Sequence, residues 1–464
     1  MAILEFLQEI LSNASILVGL LALVGLLVAR ASFPDVVTGT LKTIIGFLIL
    51  GGGANILIGA LDPLGTMISE GLGLQGVVPT NEAIVALAQE DFGAETAGIM
   101  GLAFVVNLVL ARLTRLRYVF LTGHHVFFMA ALTAVTIGVT GMEGWQLLIT
   151  GALITGSVMV LMPAIAMPFM RRITDGEEIA MGHFGTLAYC AAGLVGSKVG
   201  NPDKSTEDFE VPRSLSFFRD SLVSTAVAML IVYLIFAILA GPTVVTELAG
   251  GANPWVFAII QALTFAAGVW IILVGVRMII GEIVPAFEGI SSRLIPNAVP
   301  ALDVPIVFPY APTAVIIGFA TSVLGGLVSM IFLGPLGLAL IIPGMVPHFF
   351  TGGGAGVFGN AMGGRWGAAA GGFVNGVLIT FLPAFLLQYM GELGFANTTF
   401  GDADFAWVGI VTGFMAEAGP ALVWIWAAIL VAACFIFGMV FPKLRPDYLA
   451  QQGQAASEAE SVAG

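Results

Sequence analysis

Apolar residues run along this chain in long blocks separated by short polar breaks. The blocks fall at 14–30, 38–60, 96–112, 118–140, 146–169, 218–241, 254–281, 310–333, 335–350, 369–391 and 420–441. A helix needs about 20 apolar residues to cross the hydrocarbon core of a bilayer. The pattern therefore predicts an all-α polytopic membrane protein with about eleven transmembrane helices, of which the ninth is short. Two stretches break the pattern. Residues 173–196 pass from polar "ITDGEE" into an apolar run too short to span, which predicts a re-entrant hairpin. Residues 294–312, "LIPNAVPALDVPIVFPYAP", are apolar but interrupted by prolines, which interrupt helices. Glycine clusters at 51–53 and in "TGGGAGVFGNAMGG" (351–364), and the prolines from Pro285 to Pro300, predict further breaks. Irregular backbone at membrane depth has to be buried in protein or line a wet cavity, because lipid offers it no hydrogen-bond partner. Discontinuous segments of this kind build the solute sites of many secondary transporters.

Basic residues then give direction. Arg112, Arg115 and Arg117 follow the third block. Arg171, Arg172, Lys198, Lys204, Arg213 and Arg219 lie after the fifth, and Lys443 and Arg445 after the last. Residues 61–95, 242–253 and 392–419 carry no Lys or Arg. An outside amino terminus and a cytoplasmic carboxyl terminus satisfy this alternation with an odd number of spans. The first fifteen residues hold Glu5 and Glu9, lack the basic start of a signal peptide, and read as a short interfacial helix. Residues 442–464 read as a disordered cytoplasmic tail. "LKTIIGFLILGGG" (41–53) and "VRMIIGEIVPAFEG" (276–289) echo one another in spans of opposite direction, as inverted-topology repeats do. On this reading the repeats cover about 14–195 and 218–391, the final helix is 420–441, and residues 1–441 form one membrane transport domain.

Composition agrees. Of 464 residues 58% are hydrophobic and only 10% charged, against about 25% charged in soluble domains. A net charge of −13 argues against nucleic acid as a partner. The two cysteines, Cys190 and Cys434, sit among apolar neighbours and suit neither a disulfide framework nor a thiolate metal site. No nucleotide-binding loop or nucleophile elbow is present, and no cofactor is implied. What remains are ionisable residues inside apolar sequence, each costing about 2.5 kcal/mol or more to insert. Asp303 lies between prolines and either lines a solute path or caps a helix end. His124 and His125 open the fourth block, His183 lies in the re-entrant stretch, and His348 stands at a helix end. His125 points about 100° away from His124 on a helix, so it reads as structural, and the adjacent pair is not expected to share a metal ion.

"GTLKTIIGFLIL", "LTGHHVFF", "ITDGEEIAMGH", "KSTEDFEVP" and "AFEGISSRLIPNAVPALD" together resemble the ascorbate-type IIC permeases of the bacterial phosphotransferase system, within the L-ascorbate/galactitol superfamily. The likeness runs in order from about residue 38 to 365. It implies a substrate-holding core that moves like an elevator against a scaffold, and a homodimer in the bacterial plasma membrane. It implies uptake of L-ascorbate, phosphorylated on the cytoplasmic side from a cysteine of a separate IIB protein that IIA charges. The chain would then be a transport subunit that holds no phosphoryl-donating cysteine of its own. Carried over by residue, the solute-binding positions are His124, His183 and Asp303, with Gly53, Ala54, Asn81, Glu82, Phe128 and Phe184. Family glutamines are replaced by Phe128 and Phe184, a serine by Ala54, and a Thr-Tyr pair by Asn81-Glu82. Two rings able to stack on a solute thus stand where hydrogen-bonding groups would be, which leaves the solute open between ascorbate and another sugar-like or more apolar molecule. A phosphorylation-independent transporter, with Asp303 or Glu82 carrying a proton, is the alternative; a channel is a third.

Overall fold

The computed structural model describes residues 14–28, 30–72, 77–208, 221–291, 295, 297–395 and 398–444. The expected amino-terminal interfacial helix, Arg213, Arg219, and the tail from Arg445 onward lie outside these residues, as do the side chains of Ala54 and Glu82. The described helices are α1 (Ala14–Val28), α2 (Phe33–Leu72), α3 (Asn81–Leu113), α4 (Gly123–Gly138), α5 (Gly144–Ile173), α6 (Thr186–Val199), α7 (Ser221–Ala240), α8 (Pro242–Leu248), α9 (Pro254–Ser291), α10 (Pro312–Leu333), α11 (Met345–Leu386), α12 (Ala403–Glu417) and α13 (Pro420–Leu444). Five helices among the described residues are long and apolar enough to cross a membrane, or six if α7 and α8, bent by 114°, make one span.

Three sequence expectations need correction. The glycine cluster at 51–53 does not break its helix, because α2 continues to Leu72. Pro285 likewise lies inside α9. The ninth apolar block is not a helix of its own: residues 335–344 are non-helical, and its last six residues open α11 at Met345. That helix then absorbs the tenth block. Its 42 residues would reach about 63 Å if straight, roughly twice the hydrocarbon thickness. It is instead folded back on itself at Gly364, whose φ of +61° and ψ of −150° suit glycine alone. Gly359 and Gly367 of the two arms meet so closely that a Cβ on either would collide with the other's carbonyl oxygen. The missing side chains let the arms touch backbone to backbone, as small residues do between membrane helices.

Among the described residues, five very short strands organise the centre. They are β1 (Val78–Pro79), β2 (Tyr118–Phe120), β3 (Ala180–Met181), β4 (Val299–Leu302) and β5 (Thr398–Thr399). β4 lies between β2 and β3, and all three are parallel. β1 pairs in parallel with β5, and Val77 just before it bridges Ile341 on its other side. Each ribbon thus has a central strand from one half of the chain and flanking segments from the other. Apolar packing falls into two main groups. The larger unites α3 to α6, strands β2 to β4, the segment after β4 and α10 to α13; the second joins α2, α7, α8 and α9 with Phe319, Ile342 and Phe349. Lys42 of α2 and Glu282 of α9 form an ion pair at 2.7 Å across the second group, between the two echoing segments.

Candidate functional site

Every strand leads within a few residues into a polar side chain: β1 into Asn81, β2 into His124 and His125, β3 into His183, β4 into Asp303 and β5 into Asp402. The ribbons therefore gather groups that are remote in sequence.

Asp303 begins a 3-10 turn (Val304–Tyr310), and its Oδ1 accepts from the Val304 N–H at 2.7 Å. Local capping and a place in the cluster turn out to be compatible. Asp303 Oδ2 stands 3.5 Å from His124 Nε2, and Oδ1 stands 3.9 Å from His183 Nε2. The carboxylate is 11% exposed and His124 17%, so the cluster has an open side there.

His183 is held tightly. The Gly185 N–H donates to its Nδ1 at 3.0 Å, the Tyr189 hydroxyl lies 2.8 Å from the same nitrogen, and Thr186 Oγ1 donates to its carbonyl at 2.7 Å. A backbone N–H can only donate, so Nδ1 accepts and the ring proton sits on Nε2, facing Asp303. His125 is fixed in the same sense: its Nδ1 accepts from the Phe184 N–H at 3.3 Å, and its ring stacks on Phe405 at 5.4 Å and 8°.

The expectation that His125 stands apart is corrected by this placement. His124, His125 and Asp303 bring ligand-type atoms within 4.8 Å of one another, and so do His125, His183 and Asp402. Helical periodicity misleads here because it fixes where a side chain starts, not where its ring ends: the His124 and His125 rings turn toward one another, 4.7 Å apart between centroids. Adjacency therefore does not exclude a shared metal ion, but the hydrogen bonds disfavour one. A metal-bound histidine ordinarily donates its second N–H to an acceptor. In His125 and His183 that second nitrogen instead accepts from a backbone N–H, which leaves Nε2 as a donor.

The start of α12 supplies residues that sequence reasoning missed. Asp402 Oδ2 accepts from Asn81 Nδ2 at 3.1 Å, and Asn81 Oδ1 accepts from the Gly401 N–H at 2.8 Å. Asp404 accepts from the first N–H groups of α6, Thr186 at 2.8 Å and Leu187 at 3.0 Å, and from Trp407 Nε1 at 2.9 Å. Its own N–H donates to the Phe184 carbonyl at 2.8 Å. The carboxylate thus replaces the missing N-cap of α6 and holds the His183 loop. The signal was present in "FGDADFAWVG" (400–409), where two carboxylates stand in apolar sequence just as Asp303 does.

Among the other expected site residues, Asn81 reaches the cluster through Asp402. Phe128 sets its ring edge-on to His124 at 5.7 Å. Phe184 does not offer a stacking face: it is fully buried, with its ring already on Phe120 at 4.7 Å. Gly53 lies on α2, which packs with the second group. His348 sits elsewhere, its Nδ1 at 2.7 Å from Ser322 Oγ, in a buried network with Asn375 and Thr351. The cluster thus combines carboxylate acceptors, imidazole N–H donors and aromatic walls, a set suited to a ring or chain bearing hydroxyls.

The model of a family described as the sugar-specific permease component of the phosphotransferase system matches residues 9–404. The ascorbate-specific EIIC component of the phosphotransferase system from Mycoplasma pneumoniae (strain ATCC 29342 / M129 / Subtype 1) is 26% identical over 418 residues, covering 78% of this chain and 63% of that protein. The chain therefore spans less than two thirds of the length of that curated relative.

Proposed function

This chain belongs to the sugar-specific permease components of the phosphotransferase system, and from that premise we propose that it imports ascorbate or a related sugar-like solute, handing it to a separate IIB protein for phosphorylation. The observation that carries the reading is the convergence of Asp303, His124 and His183, from three remote segments, at distances of 3.5 and 3.9 Å. His124, His183 and Asp303 bind the solute, Phe128 forms a wall beside them, and Asn81 acts through Asp402. Gly53 and Ala54, on α2, approach the solute in another position of the moving parts, while Glu82, next to Asn81 on α3, moves with the site. A likeness to an ascorbate-specific relative supports ascorbate as the first solute to try.

The transport cycle is elevator-like. The larger apolar group carries the site, and the second group, α2 with α7 to α9, is the static scaffold and dimer surface. The two crossed ribbons support an inverted repeat, since each centre strand comes from the half that does not flank it. Matching β3–α6 with β5–α12 carries the second repeat on to α12, within an eleven-span protein. Arg112, Arg172, Lys198 and Lys204 lie at or just beyond the ends of α3, α5 and α6; Arg365, at the hairpin turn, donates its N–H to the Lys204 carbonyl at 2.8 Å. We assign that end to the cytoplasm, with the amino terminus outside, and let IIB and IIA dock there.

The test is uptake of labelled L-ascorbate into proteoliposomes holding this protein, with and without IIB and phosphorylated IIA in the compartment facing that basic end. Accumulation of a phosphorylated product only when both are present is expected. Accumulation of unmodified solute driven by a proton gradient would replace this reading with secondary transport.

A further inference from the structure

The cluster does not end at Asp303. His125 belongs to both groups of neighbouring ligand-type atoms, the one with His124 and Asp303 and the one with His183 and Asp402. The groups therefore form one continuous row, carboxylate, imidazoles, carboxylate, with Asp303 at the more open end and Asp402 at the closed end, where it is 2% exposed. The His125 and His183 rings are 4.0 Å apart, centroid to centroid, in the middle of the row. Both have Nδ1 occupied by a backbone N–H, so both present Nε2–H donors. A buried carboxylate needs such donors. Asn81 Nδ2 steadies Asp402 from the opposite side at 3.1 Å.

We propose that Asp402 is a positioning carboxylate of the solute site, acting through His125 and His183: from the closed end of the row it fixes the two imidazoles that, with His124 and Asp303, meet the solute at the open end. This deepens the transport reading given above and rests on it for the identity of the occupant. The ligand class is a polyhydroxyl molecule: a hydroxyl donates to Asp303 at the open end, while ring or hydroxyl oxygens accept from the imidazoles. His125, next to the histidine that the family resemblance singles out, becomes a specificity-determining residue. Asp404, two residues on, acts on the backbone rather than on the rings: its carboxylate is taken up by the Thr186, Leu187 and Trp407 N–H groups and so holds the loop that carries His183.

The chain has only four histidines, so each ring can be assigned by single substitution in full-length protein labelled with 15N-histidine in lipid bilayers. Solid-state nuclear magnetic resonance should find His125 and His183 as Nε2–H tautomers. Asp402→Asn should shift both of their signals and leave that of His348 unmoved. Calorimetric titration with L-ascorbate, and with galactitol as an uncharged polyol, provides the second readout. Asp402→Asn should weaken whichever probe binds by about ten- to hundredfold, the effect of one hydrogen bond to a charged group. Loss of the Nε2–H tautomer at either ring, or unshifted signals in the variant, overturns the proposal. So does unchanged affinity. If the wild-type protein binds neither probe, the sugar-transport reading falls instead, and the ring signals still decide whether Asp402 belongs to the row.

Discussion

The two ribbons are built alike but end differently. Around β4, the side chains beyond the strands are His124, His183 and Asp303, which approach one another at 3.5 and 3.9 Å without closing on each other. Around β1, the corresponding groups are already coupled: Asn81 and Asp402 lie 3.1 Å apart, and the Gly401 N–H completes the pair at 2.8 Å. One ribbon thus leaves polar groups spaced for an occupant, and the other uses them to lock its own turn. The spacing matters because buried polar atoms are costly until something satisfies them. The open ribbon keeps that cost for a solute to relieve.

The contrast is broken most severely at Asp303. Asp303→Asn removes the charge that faces His124 and His183, and with it two charge-assisted bonds that the occupant makes there on the proposed reading, together worth about 3 kcal/mol or more. Uptake should fall by a hundredfold or more, on the order of that energy, while the protein still elutes as folded material with unchanged helicity. Normal uptake by this variant would remove Asp303 from the solute path.

Phe184 is where the two ribbons touch. Its ring lies on Phe120, its N–H donates to His125, and its carbonyl accepts from Asp404 of the other ribbon. Phe184→Gln should therefore act on the fold, lowering stability by about 3 kcal/mol or more, since it removes a buried ring and buries an amide. A shift in solute preference without a drop in thermal midpoint would return this ring to the pocket. Asp404→Ala separates the ribbons in another way, by orphaning the Thr186 and Leu187 N–H groups at the start of α6. A loss of about 2 kcal/mol is expected, with weaker solute binding that Asp404→Asn partly restores. Asn81→Ala should cost less, about 1 kcal/mol for the bonds to Asp402 and Gly401, because the locked ribbon keeps its strand pairing. Hydrogen exchange at Gly401 and Thr80 reads that loss; unaltered protection there would mean that the Asn81 contact does not hold the turn.

Much of this was legible in the sequence. Long apolar blocks gave most helices, and charge inside apolar sequence singled out Asp303, His124 and His183, which the fold brings together. Breaks were harder to place. Glycine permits a break but does not demand one: α2 passes straight through Gly51–Gly53, while the turn of the α11 hairpin depends on the single positive φ of Gly364. Close packing decides between these outcomes, and packing partners such as Gly359 and Gly367 are not visible as a pair in one chain. His125 was misplaced because a helical wheel gives the direction in which a side chain leaves the helix, not where its ring ends, and this ring turns toward those of His124 and His183. Asp402 and Asp404 carry the same signal as Asp303 but lie beyond the motifs that carried the family resemblance, in a segment read only for its lack of basic residues.

The finest test of the open ribbon is Phe128. Its ring stands edge-on to His124 and is 8% exposed, so it borders the cluster without carrying a hydrogen bond. An aromatic contact of that kind contributes about 0.5–1.5 kcal/mol. Phe128→Gln exchanges it for an amide that can reach a solute hydroxyl, so gain and loss nearly offset. The expected change in affinity for L-ascorbate is only a few-fold, about what 1 kcal/mol allows, and its direction is informative. Tighter binding means the solute presents a polar edge to this wall, as ascorbate does. Weaker binding means that it presents an apolar face, and the sugar-like occupant is then a more reduced one. A change of a hundredfold in either direction would place Phe128 at the centre of recognition rather than at its border, and the difference between the ribbons would lie in their aromatic walls instead of their carboxylates.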